Sequence, residues 1–174
     1  MALTLGLLPL LEAAPVAKIV CVSSALHQLA PTMGIDFDHI NDEAVYGMHA
    51  AYGQSKLAMI LFARELHKRL RARGVNHVYV TSLHPGVVQT EIARELPWIV
   101  QKALWLFQRN ADDGAKTQLY CATSPEIEKK DLSGLYFTAI AKLKETTTLG
   151  QDMDLAAKLW TFTEELIASK TPSN

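Results

Sequence analysis

Hydrophobic and polar positions divide this chain into alternating strand-like and helix-like stretches. Ala17 to Ser23 is a continuous apolar run rich in valine and isoleucine, the pattern of a strand covered on both faces. Ala50 to Arg73 follows a helical period instead. Leu57, Ile60, Leu61, Ala63, Leu66 and Leu70 form one stripe, and Gly74 supplies the stop. Asn76 to Leu83 reads as a second strand, broken by Pro85-Gly86. Helices are predicted over Pro97 to Gln108, Ala111 to Ala122 and Leu155 to Ala168, with a short third strand over Gly134 to Thr138. Ala25 to Met48 lacks either period and carries Pro31, Gly34, Asp36, Asp38, Asn41 and Asp42, so it is predicted to be a long surface loop. Strand, helix, strand, helices, strand, helix is an α/β order, which implies a parallel sheet of about three strands flanked by helices.

The first seventeen residues are ambiguous by composition. Leu3 to Leu11 is apolar and Ala13-Ala-Pro-Val-Ala17 is small, an arrangement that imitates a secretory leader. There is no basic leader, Glu12 interrupts the small residues, and the stretch is too short to span a bilayer. A helix over Leu3 to Ala14, ended by Pro15, is the expected structure.

At 174 residues the chain is expected to form one domain, residues 1 to 174. Its net charge of −1 is spread without a basic stripe, so nucleic acid is not an expected partner. Cys21 and Cys121 fall in a strand and a helix, as reduced structural thiols do, and the six histidines show no metal-ligand spacing. A cytoplasmic location fits these features.

Candidate chemistry begins at Tyr52-Gly-Gln-Ser-Lys56. Residues four apart share one helix face, so a phenol and an ammonium can occupy one site. A nearby cation favours a phenolate and so suits a tyrosine to proton transfer. Ser24 ends the first strand run, 28 residues before Tyr52, and His84-Pro-Gly-Val-Val-Gln-Thr90 begins 28 residues after Lys56. Alone, Ser24 could satisfy its own backbone, and Pro85-Gly86 could be only a turn. Strand alternation points Ser23 to the side opposite Ser24. A hydrolytic triad of Ser24, His84 and an aspartate has little support, because no Gly-x-Ser-x-Gly elbow surrounds Ser24.

Taken in order, these motifs resemble the catalytic half of the short-chain dehydrogenase/reductase family. Ser23-Ser24-x-x-His27, Ser55 to Leu66 and Leu83-His-Pro-Gly86 look most like its retinol-dehydrogenase-like branch. The resemblance implies a partial Rossmann-like fold, the C-terminal, catalytic half of the family's fold. It implies an oxidoreductase interconverting an alcohol and a carbonyl with NAD or NADP. Tyr52 would be the acid/base and Lys56 would assist it and hold the nicotinamide ribose. Ser24 would hydrogen-bond the substrate oxygen. Pro85, Gly86, Val88 and Thr90 would line the nicotinamide. His27 and His84 match the branch's habit and are expected to serve packing or loop hydrogen bonds. Family members place the region of Leu96 to Phe107 over the substrate. Here it carries Trp98, Ile99, Val100, Leu104, Trp105, Leu106 and Phe107, which suits a retinoid-like, steroid-like or other lipid-like substrate, ordinary core, or peripheral membrane contact.

The family's opening strand with its Thr-Gly-x-x-x-Gly-x-Gly loop, and its later Asn-Asn-Ala-Gly segment, have no counterpart in the 174 residues. None of the nine glycines is arranged as Gly-x-x-x-Gly-x-Gly, the loop on which family members seat the dinucleotide pyrophosphate. NAD and NADP therefore stay open, and the isolated chain is expected to be weak or inactive. An apolar first-strand edge without a neighbour invites association. The alternative expectation is a non-catalytic interaction protein that pairs with itself or with a full-length relative. The family's dimer helices correspond to Leu3 to Ala14 and Ala50 to Arg73, which favours a homo-oligomer.

Overall fold

A computed structural model describes residues 1–45, 47–86 and 111–170. Within them, helix α1 spans Ala2–Ala13, strand β1 Ala17–Val22 and helix α2 Met48–Ala72. Strand β2 (Val78–Leu83), helix α3 (Ala111–Thr123) and helix α4 (Glu126–Lys129) follow. The chain then forms strands β3 (Tyr136–Thr138) and β4 (Lys142–Leu143) and helices α5 (Thr148–Gln151) and α6 (Met153–Lys170). The predicted helix over Pro97 to Gln108 lies outside the described residues. The predicted loop after β1 is largely irregular, with short 3-10 turns at Ala25–Leu29 and Glu43–Val45.

The sheet order is β1-β2-β3-β4. β1 and β2 run parallel, with Ala17 opposite Val78 and Val22 opposite Leu83, and β3 adds to β2 in parallel. The expected three parallel strands are present. The sequence does not announce β4, a two-residue antiparallel edge joined through Phe137 to Leu143 and Thr138 to Lys142.

The period of two along each strand sorts side chains between two helical layers. Ala17, Cys21, Val78 and Val80 pack with Phe62, Ala63, Leu66 and Leu70 of α2 and Trp160 of α6, with Leu5, Leu8 and Leu11 of α1 added at the margin. On the other face Val20, Tyr79 and Leu83 meet Cys121 of α3, Ile127 of α4 and Phe137 of β3. Lys18, on that second face, reaches its ends: its Nζ bonds the Ser124 carbonyl at 3.1 Å and Glu128 at 2.8 Å. Burying one such aliphatic side chain contributes about 1.5–3 kcal/mol, so the α2 stripe alone anchors the helix firmly.

Gly74 takes φ +76° after α2, the left-handed conformation that stops a helix where glycine stands. Helix α1 buries no residue completely and leaves Leu3 77% and Leu10 70% exposed. Among the described residues no helix is long and apolar enough to cross a membrane.

Candidate active site

The alternation of β1 and the start of α2 set the site. Ser23 falls on the sheet face toward α2, where its Oγ donates to the Lys56 carbonyl at 2.6 Å. That bond ties the end of β1 to the middle of the Tyr52/Lys56 turn. Ser24 lies one residue on and is turned elsewhere. It caps the 3-10 turn Ala25–Leu29, its Oγ accepting the Leu26 N–H at 3.2 Å. A hydroxyl that accepts one bond keeps its own hydrogen to donate, as a substrate-oxygen donor requires.

Tyr52 and Lys56 share a face of α2. The Lys56 ammonium stands 5.5 Å from the Tyr52 ring centroid and donates to the Val22 carbonyl at 3.4 Å. It therefore lies between the phenol and the C-terminal end of β1. Tyr52 is 43% exposed. Tyr136 is a poor rival for proton transfer: it is buried, and burial pushes its phenol up to about 12.

Gly53, which sequence reasoning passed over, and His27, expected to serve packing or loop hydrogen bonds, hold Ser24 in register. A Cβ at Gly53 would lie 2.6 Å from both the Leu29 carbonyl carbon and the Ala30 nitrogen, and 2.9 Å from the Leu26 oxygen. Only a residue without a side chain lets the Ser24 turn rest against α2 beside Tyr52. The signal was present as a glycine inside a strong helical pattern. His27 is 3% exposed, and its Nδ1 contacts the Ser24 carbonyl at 2.7 Å. A carbonyl only accepts, so Nδ1 carries the hydrogen. Burial first, and Lys144 to a lesser degree, hold this imidazole below its ordinary value, against the Ser24 bond that raises it.

Beyond β2, the His84 N–H donates to the Phe137 carbonyl at 2.8 Å, and its Nδ1 is enclosed without a partner. Burial, then repulsion from His27 and Lys144, lowers this imidazole too. Pro85 and Gly86 follow directly, Gly86 with φ +97°, where side chains are strained. Val88 and Thr90 lie outside the described residues, as does the apolar segment from Leu96 to Phe107. The structure thus joins Ser24, Tyr52 and Lys56 through one strand end and one helix, with Pro85 and Gly86 leaving the neighbouring strand. Among the described residues no three His, Cys, Asp or Glu side chains could hold a metal ion together.

No family model matches the chain. Individual proteins do. The chain is 38% identical over 171 residues to human retinol dehydrogenase 14, covering 95% of this chain and 48% of that protein. It is 39% identical over 155 residues to the chloroplastic short-chain dehydrogenase TIC 32 A of Brassica napus, covering 87% of this chain and 47% of that one. Its fold superposes on a carbonyl reductase from chicken fatty liver, solved with NADPH bound, with a TM-score of 0.54. That match has 22% identity and covers 83% of this chain and 51% of the reductase. The last likeness shows the fold alone, a Rossmann-like sheet with flanking helices. The chain spans about half the length of the curated relatives it matches. Across the length it shares with them, the chain belongs to the short-chain dehydrogenase/reductase family, in its retinol-dehydrogenase-like branch.

Proposed function

We propose that this chain carries the proton-transfer half of an NAD(P)-dependent oxidoreductase that interconverts an alcohol and a carbonyl on an apolar, retinoid-, steroid- or lipid-like substrate. The observation that carries this reading is the placement of the Lys56 ammonium between the Tyr52 ring and the end of the strand that leads into Ser24. The nicotinamide, when bound, supplies or accepts the hydride. The chain's own residues handle the oxygen and its proton. Ser24 donates its free hydrogen to the substrate oxygen, Tyr52 gives or takes the proton, and Lys56 steadies the charge on the phenol. Pro85, Gly86, Val88 and Thr90 are the residues that the family resemblance assigns to the nicotinamide. The name of human retinol dehydrogenase 14 supports an apolar alcohol as the substrate class.

On this reading the 174 residues are one domain, the catalytic half of the family's fold, and they carry no Gly-x-x-x-Gly-x-Gly loop. In isolation the chain therefore binds the dinucleotide weakly and turns over slowly. Titration with NADPH or NADH, followed by nicotinamide fluorescence, tests this. The expected result is no saturation at micromolar cofactor; saturable micromolar binding would overturn the weak-binding part of the reading.

A second reading rests on the edge of the sheet. β1 pairs only with β2 among the described residues, and the adjoining α1 leaves Leu3, Leu7 and Leu10 exposed. Such a surface suits a protein that pairs with itself or with a full-length relative. Light scattering distinguishes the two: a dimer or larger species supports pairing, and a clean monomer counts against it. A cytoplasmic location accompanies both readings, and the apolar composition of Leu96 to Phe107 suits peripheral membrane contact.

A further inference from the structure

A cavity of about 260 Å³ opens at the C-terminal ends of the parallel strands, lined by His27, His84, Tyr136, Thr138, Lys144 and Glu145 among others. Crevices outside the carboxyl ends of strands are where open α/β sheets take their ligands. Its described lining carries more basic groups than acidic ones. His27 Nε2 and His84 Nδ1 are both enclosed and without a hydrogen-bond partner, so each imidazole keeps a polar group in reserve. Lys144 makes no ion pair among the described residues, and its charge is felt by both imidazoles. The one carboxylate in the lining, Glu145, is also engaged electrostatically by Arg64. Among the described residues, three basic groups thus line a space whose only acid is engaged by a fourth.

We propose that this cavity binds a small oxyanion, a carboxylate or phosphate group, held by the Lys144 ammonium and by His27 and His84 as imidazolium donors. The lining does not include Ser24, Tyr52 or Lys56, although His27 also bonds the Ser24 carbonyl and so borders the candidate active site. Binding is linked to proton uptake. Without ligand, burial lowers both imidazoles from their ordinary value, helped by repulsion from His27 at His84 and by the Lys144 charge at each; an anion among them opposes that shift. Tyr136 is pushed up to about 12 and stays neutral, so Glu145 is the only opposing charge facing His27 and His84 in the lining. Affinity therefore rises as pH falls, and the bound anion raises both imidazole values in return.

The test is a titration of the intact chain with sodium phosphate and, separately, sodium acetate. It is followed through the imidazole carbon-bound proton resonances, with sodium chloride at matched ionic strength as the control. The expected result is a saturable shift of His27 and His84, with acetate binding more tightly at pH 6 than at pH 7.5. Lys144→Gln should weaken the midpoint by at least about fivefold, while Lys142→Gln, at another exposed lysine outside the lining, leaves it unchanged. Saturation by phosphate only, or acetate only, identifies which oxyanion the site takes. Shifts that chloride reproduces, or equal effects of the two lysine variants, would overturn the proposal.

Discussion

Replacing Gly53 with alanine tests how the Ser24 turn is held against the Tyr52 helix. The added methyl would stand 2.6 Å from Leu29 C and Ala30 N and 2.9 Å from Leu26 O, all backbone atoms. Comfortable carbon contacts begin near 3.5 Å, so the turn must retreat by about 1 Å. Overpacking of this kind costs about 1–3 kcal/mol. Alanine returns about 1 kcal/mol through helix propensity, leaving a net loss of about 1 kcal/mol. Gly6 provides the matched control, because it is helical in α1 and nothing lies within 4 Å of its added Cβ. Gly6→Ala receives the propensity gain with no clash. The difference between the two variants therefore isolates the overpacking cost. For a chain of this size, 1–3 kcal/mol corresponds to melting temperatures separated by about 2–12 °C. Thermal and urea melts of both variants measure this. If Gly53→Ala stabilises as much as Gly6→Ala, the close approach of the turn to α2 is wrong.

Two other outcomes follow from the buried titratable groups. His27, His67 and His84 are each held below the ordinary imidazole value, chiefly by burial, so the unfolded chain binds more protons than the fold. Stability should be fully present above about pH 6.5 and fall as the pH drops toward the folded values; melts at pH 7.5 and 5.5 check it, and a flat profile would contradict the burial of these rings. Cys21 and Cys121 are buried and pushed up to about 11, so iodoacetamide at pH 7.5 should modify neither in the folded chain and both in denaturant.

The strands and long helices were legible because their signals are local. Valine and isoleucine runs gave β1 and β2, and the leucine stripe gave α2 to within two residues at its N-terminal end. β4 was not legible, since a two-residue edge is made by its partner Phe137-Thr138 and has no period of its own. The short helices α4 and α5 fall in the same class. At the site, Tyr52 and Lys56 could be paired by helical spacing and Ser23 separated from Ser24 by alternation. The 2.6 Å tie from Ser23 to the Lys56 carbonyl could not be read, because it joins residues far apart in sequence. His27, expected to serve packing or loop hydrogen bonds, makes such a local bond, its Nδ1–H turned back on the Ser24 carbonyl. What Gly53 does depends on the backbone of another segment, which no local pattern encodes.

The account rests most directly on Tyr52 as the proton-transferring group. The decisive measurement is the initial rate of NADPH-dependent reduction of an apolar aldehyde by the wild-type chain and by Tyr52→Phe. Millimolar cofactor keeps weak binding from limiting either rate. A slow wild-type rate that falls by at least about 100-fold in the variant is the expected result. Equal rates in the two proteins would contradict it.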